Sequence, residues 1–175
     1  MAVKPVLQLG DPLLRAPCQD VRDTSAPQLR PLAGDLSDTL ADWVARTSYG
    51  RGIAAPQIGV PVRVIYVTLG SPQILVNPVI TAHSATTWEV WDACLSFSVE
   101  IFCKVRRFTW VDVAYQSPDG GRHSMRADGE LAELLQHEID HLEGVLAVDR
   151  MTSISTLCMR SEFEQRYRSE SPYRP

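Results

Sequence analysis

The amino-acid sequence predicts an α+β fold, with helical segments near both ends of the chain and strands in its middle. Apolar residues recur every three or four positions through residues 29–44, which gives one apolar stripe on a helix. Runs rich in β-branched residues follow at 62–68 and 73–80, and the helical period returns at 131–145. Because helices and strands come in blocks, the order favours α+β over alternating βαβ units.

The first helix is expected to span about 16 to 20 residues. Asp23, Thr24 and Ser25 offer side-chain oxygens that can cap its start, and Pro31 fits its first turns, where no backbone donor is needed. The next segment, residues 50–59, is too rich in glycine and alanine for an ordinary helix and too apolar for a solvated linker. Its backbone is therefore expected to approach another part of the protein closely.

Four strands are predicted in the middle of the chain. The segments 62–68 and 73–80 are separated by a short Gly-Ser-Pro loop, as in neighbouring strands of one sheet. The segments 86–91 and 108–116 alternate between apolar and polar residues, and a turn rich in glycine follows the second. These four segments predict the sheet region.

The second long helix has both a start and a stop signal. Asp128 is placed to cap residues 131–145, and Gly144 is placed to end them. A last helix is predicted at 152–167, followed by a polar tail at 169–175.

The composition is that of one globular domain. At 175 residues, with 45% hydrophobic and 22% charged residues, the chain is expected to form a single catalytic domain over 1–175. The formal net charge of −4 gives no basic field for a phosphate backbone, so nucleic acid is not an expected partner. No secretory signal and no membrane-spanning stretch is recognised, so we expect a cytoplasmic protein with reduced cysteines and no membrane partner.

The predicted second helix carries a His-Glu-x-x-His pattern. A four-residue step places His137 and His141 on one helix face, one turn apart, where both imidazoles can bind one metal ion. Glu138 is placed to take a proton from water at that metal. The pattern therefore predicts a metal-dependent hydrolase.

A hydrolytic metal site of this kind takes a third protein ligand and leaves a position open for water. Glu162, on the predicted last helix, would suit a zinc peptidase with a downstream glutamate. Cys94, near the sheet region, offers a thiolate, which binds soft and borderline metals strongly. The chemistry alone leaves both candidates open.

Three segments together resemble the signature motifs of peptide deformylases, in the order of that family. They read Gly-Arg-Gly-Ile-Ala-Ala-Pro-Gln at 50–57, Asp-Ala-Cys-Leu-Ser at 92–96 and Gln-His-Glu-Ile-Asp-His at 136–141. Further similarity at 11–15, 76–78 and 149–151 extends the resemblance over nearly the whole chain.

The resemblance implies partly antiparallel β-sheets packed around a central metal-binding helix. It also implies hydrolytic removal of the formyl group from N-formylmethionyl peptides of nascent proteins, with ribosome-associated chains as possible partners. The expected cofactor is one divalent metal ion, iron(II), with zinc or nickel able to replace it.

The resemblance further assigns roles to individual residues. It makes Cys94, His137 and His141 the metal ligands and Glu138 the general acid and base. Gln57 and the backbone N–H of Leu95 are expected to stabilise the oxyanion that forms when the formyl carbon is attacked.

The chain departs from the family pattern in its second motif, which normally reads Glu-Gly-Cys-Leu-Ser. Asp92 and Ala93 occupy the first two positions here, and Ser98 replaces a proline usual after the motif. The alanine would be strained if its backbone required a positive φ.

The pocket for the methionine side chain also departs from the family, which places apolar residues where Arg51 and Glu133 stand here. If both face the pocket, they are expected to pair with each other or with a polar substrate; if they face solvent, they change nothing. With Gly50, Gly52 and Asp92 they complete the expected substrate-contacting set. The family also tends to carry an arginine that meets the substrate backbone, and either Arg106 or Arg107 matches it.

Three other functions are weighed against a deformylase of nascent chains. The charged residues at the pocket suggest a divergent relative that hydrolyses a different N-formyl or small amide substrate. A binding or structural protein that kept the metal site but lost turnover is a second alternative, and Glu138 and Gln57 argue against it. A peptidase that uses Glu162 as a ligand is the third.

Overall fold

The computed structural model describes residues 2–171, which form two antiparallel sheets and two long helices. The elements are α1 (Leu29–Thr47), β1 (Gly52–Ala54), β2 (Val64–Val67), β3 (Gln73–His83), β4 (Thr87–Ala93), β5 (Ile101–Phe108), β6 (Trp110–Gln116), β7 (Arg122–Asp128), α2 (Gly129–Leu142), β8 (Cys158–Met159) and α3 (Arg160–Glu162). The larger sheet has the strand order β1-β2-β3-β6-β7, and the smaller one has the order β4-β5-β8. The prediction of an α+β fold is confirmed.

Helix α1 lies where the apolar stripe predicted it and buries that stripe in the core. Leu36, Leu40 and Trp43 pack against residues of the larger sheet. The predicted cap is wrong, because the helix begins after Gln28 and Asp23 instead closes its own turn by accepting hydrogen bonds from Ser25. None of the helices within residues 2–171 has the length and apolar character needed to cross a bilayer.

Helix α2 is the central element of the fold. It is buried without interruption from Ala132 to Leu142 and packs against β1, β5 and β7. Asp128 occupies the N-cap position, as predicted, although its side chain makes no capping hydrogen bond. The helix ends at Leu142, two residues before Gly144, so the predicted stop is also confirmed in place.

Gly144 has no room for a side chain, and its replacement by alanine should destabilise the fold. Its φ is +72°, and an added Cβ would lie 2.5 Å from the carbonyl oxygen of Arg15. We expect Gly144→Ala to lower the free energy of unfolding by about 2 to 3 kcal/mol, because both a left-handed backbone and a backbone clash are unfavourable. Urea denaturation measures this difference.

Gly70→Ala is the matched control. Gly70 also has a positive φ, +81°, but an added Cβ would meet nothing within 4 Å. Gly70→Ala should therefore lower the free energy of unfolding by only about 1 kcal/mol, the cost of placing alanine in a left-handed backbone conformation. Equal losses in both variants would contradict a role for the contact with Arg15.

Four strands of the structure, β1, β5, β7 and β8, were not predicted, and β7 and β5 were missed for different physical reasons. Strand β7 is an edge strand whose residues are mostly exposed, so it lacks the alternation that marks a half-buried strand. It forms because its backbone pairs with β6 across a tight turn. Strand β5 pairs with β4 along its length, but adjacent buried residues and two arginines obscure its period.

The predicted last helix at 152–167 is wrong in its first half. A single 3₁₀ turn, Ile154–Thr156, lies in that half, and residues 158–159 form β8 on the edge of β5, where the sheet satisfies their backbone. The α-helical structure begins only at α3. The π-helical turn Phe163–Tyr167 continues it. Within the predicted tail, Glu170 accepts hydrogen bonds from Trp91 and Lys104, while residues 172–175 lie outside the described residues.

Candidate metal centre

Three buried side chains converge at the centre of the protein. The ligand atoms of Cys94, His137 and His141 all lie within 4.8 Å of one another, and the Cys94 Sγ is 3.3 Å from the His141 Nε2. The two histidines lie one turn apart on α2, as their spacing predicted, and Cys94 directly follows β4. A thiol and two imidazoles in this arrangement could hold a metal ion, because these donors suit borderline divalent metals.

Glu162 is not part of this group, so the alternative of a peptidase that uses Glu162 as its third metal ligand is wrong. It lies on α3 with its side chain about half exposed and forms an ion pair with Arg166 at 2.6 Å. Among residues 2–171, the side chains grouped closely enough to hold one metal ion are those of Cys94, His137 and His141, and Glu162 does not join them. Glu162 was a candidate because it follows the histidine pair on the predicted last helix, but order along the chain does not determine which side chains meet in the fold.

Asp92 fixes the orientation of one imidazole. The His137 Nδ1 lies 2.9 and 3.1 Å from the two carboxylate oxygens of Asp92, so the other ring nitrogen is turned toward Cys94 and His141. Although burial opposes ionisation of Asp92, the adjacent His137 and Arg107 hold its pKa well below the usual range. Asp92 therefore lies behind the ligand group as a carboxylate.

Arg107 forms ion pairs with both Asp92 and Asp140, and Asp140 lies on α2. It is buried, donates to Asp92 at 3.0 Å and to Asp140 at 2.5 Å, and Asp140 also pairs with Arg150. Its neighbour Arg106 is exposed and lies 3.9 Å from Glu89. The pocket in front of the ligand group is lined by other described residues, so neither arginine stands in it.

Glu138 presents its carboxylate to that pocket. It is fully buried, its Oε2 has no hydrogen-bond partner among the described residues, and burial raises its pKa to about 7. Gly52 allows this arrangement, because a Cβ added there would lie 2.6 Å from the Glu138 Oε1. The backbone of β1 thus approaches the carboxylate as closely as the glycine-rich segment predicted.

Gln57 points its amide at the ligand group. Its Oε1 accepts a hydrogen bond from the Ala54 N–H at 2.8 Å, which leaves the amide nitrogen to face Cys94 at 3.5 Å and Ser96 at 3.1 Å. Ser96 was not singled out as a site residue, although it stands within the second motif. Leu95 lies between Cys94 and Ser96 and lines the same pocket.

The pocket combines these groups with apolar walls. It is lined by Tyr49, Gly50, Arg51, Gly52, Gln57, Ala93, Leu95, Val99, Leu134, His137 and Glu138. Sequence reasoning did not identify Tyr49, Val99 or Leu134, whose apolar character looks the same in a pocket as in a core.

Arg51 and Glu133 form a buried ion pair at 2.5 Å, with side chains 14% and 0% exposed. Neither faces solvent. Arg51 lines the pocket, whereas Glu133 and Asp92 lie behind the wall and not in it. Burial raises the pKa of Glu133, and the Arg51 charge opposes that shift.

The departures in the second motif are accommodated without strain at the alanine. Ala93 ends β4, and the described non-glycine residues with positive φ do not include it. Positive φ values occur instead at Ser98 and Val99, at 54° and 53°. Val99 is β-branched, so this conformation carries a local strain beside the pocket.

Comparison with known proteins places these features in one family. The model of the family described as "Polypeptide deformylase" matches residues 3–156. The chain is 37% identical to a peptide deformylase of Brucella suis, over 94% of each protein. It is also 37% identical to peptide deformylase 2 of Clostridium perfringens, over 86% of this chain and 94% of the relative.

Solved structures of peptide deformylases have the same fold as this protein. The peptide deformylase of Thermotoga maritima superposes with a TM-score of 0.81 at 30% identity, covering 87% of this chain and all of that one. The enzyme of Synechococcus elongatus, solved in complex with actinonin, gives 0.79 at 31% identity and covers 96% of this chain and 87% of that one. With the family model, the relatives and the architecture in agreement, this chain belongs to the peptide deformylase family.

Proposed function

We propose that this protein is a metal-dependent hydrolase that removes the N-formyl group from N-formylmethionyl peptides of nascent proteins. The observation that carries the proposal is the convergence of Cys94, His137 and His141 next to the buried carboxylate of Glu138 and the amide of Gln57. Such a site brings together a metal-binding group, a proton acceptor and a hydrogen-bond donor. Membership in the deformylase family favours this reaction over the hydrolysis of a different formyl or small amide substrate.

The metal ligands we propose are Cys94, His137 and His141, with iron(II) as the working ion and zinc or nickel as alternatives. When bound, such an ion supplies Lewis acidity, which polarises a carbonyl and acidifies water. Every other part of the reaction is assigned to side chains and backbone groups of this protein.

In the proposed reaction, water attacks the formyl carbon, the C–N bond breaks, and formate and a free amino terminus are released. Glu138 takes the proton from the attacking water and then delivers it to the departing amine. Its carboxylate suits this role because it is buried, has a pKa near 7 and has an oxygen with no partner among the described residues. The amide of Gln57 and the backbone N–H of Leu95 donate to the oxygen that gains charge.

Formate release tests the proposal directly. The protein is purified and loaded with iron(II) under anaerobic conditions, and formate is measured after addition of N-formyl-Met-Ala-Ser. We expect turnover with this peptide and little with a formylated peptide that begins with a charged residue. Turnover of a nonmethionyl formyl substrate without turnover of the methionyl peptide would instead favour a divergent amidase.

Asp92 is proposed to act through His137. Asp92→Asn should weaken metal binding about 10- to 100-fold, because partners of this kind fix the ring and raise its basicity. A competition titration with a chelator measures the affinity. Asp112→Asn, at a carboxylate that pairs with Arg126 on the protein surface, is the control and should leave it unchanged. Unaltered metal affinity in Asp92→Asn would remove Asp92 from the metal centre.

The pocket wall is proposed to receive the methionine side chain. Gly50 and Gly52 allow the substrate backbone to approach, and the methylene stem of Arg51 forms part of the wall while Glu133 holds its charged end. The buried pair is thus compatible with an apolar substrate side chain.

Truncation of Arg51 tests this part of the proposal. Arg51→Ala should raise KM for N-formyl-Met-Ala-Ser about tenfold and leave kcat nearly unchanged, because apolar contact with the wall is equal in the ground and transition states. Arg51→Met retains an apolar wall and should behave like the wild type. Equal kinetics for all three proteins would show that the stem does not contact the substrate.

We propose the cytoplasm as the compartment and nascent chains at the ribosome as the source of substrate. The net charge of −4 argues against direct binding to ribosomal RNA, so the formylated peptide itself is the proposed partner. We also propose that the chain is one catalytic domain, supported by the burial of α2 between elements of both sheets.

A further inference from the structure

The last part of the described chain packs behind the wall of the substrate pocket. It lies beyond residues 3–156, which the family model matches. Phe163 is fully buried and stacks on Phe102 of β5, with ring centroids 4.0 Å apart. Phe102 in turn contacts the ring of Tyr49 edge-on at 5.7 Å, and Tyr49 lines the pocket. A segment outside the family model therefore supports a residue that a bound peptide would contact.

Two charged side chains of this segment bind Tyr49 and the end of the helix before it. Arg160 donates a hydrogen bond to the carbonyl oxygen of Thr47, the last residue of α1, at 3.0 Å. Its guanidinium group lies over the Tyr49 ring, 4.6 Å from the ring centre. Glu164 accepts hydrogen bonds from the Tyr49 hydroxyl at 3.1 Å and from the Arg160 Nε at 2.8 Å. Tyr49 is thus held at its hydroxyl group and at its ring.

The protonation states of the pair suit this contact. The hydrogen bond from Arg160 holds the pKa of Glu164 below its usual range. Burial and the nearby charge of Glu164 raise the pKa of Tyr49. Glu164 is therefore a carboxylate and Tyr49 a neutral phenol, which is the combination in which the hydroxyl donates a charge-assisted hydrogen bond.

We propose that Tyr49 is a substrate-binding residue and that Glu164 and Arg160 are positioning residues that hold its ring in the pocket wall. This inference rests on the proposed function and adds a binding residue to the same site. Tyr49 directly precedes residues 50–52, and all four line the pocket. A ring that is fixed before binding loses less conformational freedom when the peptide arrives, so its contact contributes more to affinity. Because its hydroxyl donates to Glu164, Tyr49 offers the peptide mainly its apolar ring.

Tyr49→Phe and Glu164→Ala test the inference, because each removes one partner of the same hydrogen bond. In steady-state kinetics of the metal-loaded protein with N-formyl-Met-Ala-Ser, each should raise KM about three- to tenfold and leave kcat nearly unchanged. The double variant should have a KM no higher than that of Glu164→Ala, since either single change already breaks the hydrogen bond. Glu164→Gln keeps an acceptor for the hydroxyl and should have a KM near that of the wild type. The Glu164 side chain is 35% exposed, so these variants should fold.

Calorimetric titration with the product peptide Met-Ala-Ser measures binding without turnover. Its dissociation constant should rise about three- to tenfold in Tyr49→Phe and in Glu164→Ala. Glu162→Ala removes a half-exposed carboxylate of the same segment, which pairs with Arg166, and should leave KM and the dissociation constant unchanged.

The wild type and the variants answer different questions. Formate release by the wild type tests the hydrolytic function, whereas the comparison of the variants tests the role of Tyr49 and Glu164, so the two failures are distinguishable. Unchanged KM and dissociation constants in Tyr49→Phe and Glu164→Ala, an equal loss in Glu162→Ala, or additive losses in the double variant would each overturn the inference.

Discussion

Replacement of Glu138 by glutamine should lower kcat for formate release by about 10² to 10⁴-fold, the usual contribution of a positioned general acid and base. Glutamine has nearly the same shape, so it should keep the close packing against Gly52. Metal content should not change, because Glu138 is not one of the three converging ligand atoms. Steady-state kinetics and metal analysis of the purified variant measure both quantities.

The pH dependence gives a second measurement on the same residue. Burial raises the pKa of Glu138 to about 7, and a carboxyl group accepts a proton from water only when it is ionised. The value of kcat/KM should therefore fall as the pH decreases through this pKa, and a cation held by the neighbouring ligands would move the fall to lower pH. The residual activity of Glu138→Gln should lack this dependence.

Glu130→Gln is the matched control on the same helix. Glu130 lies in the first turn of α2 and is exposed. It should retain the kcat of the wild type. Near wild-type turnover in Glu138→Gln, with the metal in place, would contradict the assignment of Glu138 as the proton carrier.

The second large effect is expected at Gln57. Gln57→Ala should lower kcat by about 10² to 10³-fold, because the loss of one donor to a developing oxyanion typically has this effect. KM should change little, since the interaction strengthens only as charge develops. Metal content should be retained, because the Gln57 amide lies beside Cys94 without being one of the three ligands.

Gln57 also has a structural role, because its side-chain carbonyl accepts a hydrogen bond from the Ala54 N–H. Gln57→Ala should therefore lower the free energy of unfolding by about 1 kcal/mol, in addition to its effect on kcat. Ser96→Ala removes the hydroxyl that the amide contacts but keeps the amide, and it should reduce kcat much less than Gln57→Ala. A raised KM with an unchanged kcat in Gln57→Ala would contradict its role at the oxyanion.

The chemistry of the site was largely predictable because it is local. A four-residue step on a helix fixes the relative position of His137 and His141 before any tertiary contact forms, and Glu138 is adjacent to the first of them. Cys94 and Gln57 required the resemblance to a family, since nothing in their own segments shows that they meet α2.

The fold was predicted where burial leaves a period in the sequence and missed where it does not. Helix α1 and helix α2 each bury a continuous stripe, and β2 and β3 are rich in β-branched residues. Strand β7 has little burial, so only its pairing with β6 defines it. Strand β8 has two residues, too few for any period, and depends on the edge of β5.

By itself the sequence determined the α+β class, the two long helices, the histidine pair and the acid beside it, because these follow from periodicity and spacing along one element. The family resemblance in the sequence favoured Cys94 over Glu162, and the tertiary structure brings Cys94 and not Glu162 to the histidines. The tertiary structure alone decided that Arg51 is held by Glu133. It also decided that Arg107 pairs with Asp92, the carboxylate that contacts His137. These contacts join residues far apart in the chain, and their energies depend on burial and on the partner that packing supplies. Neither quantity is encoded in a local pattern.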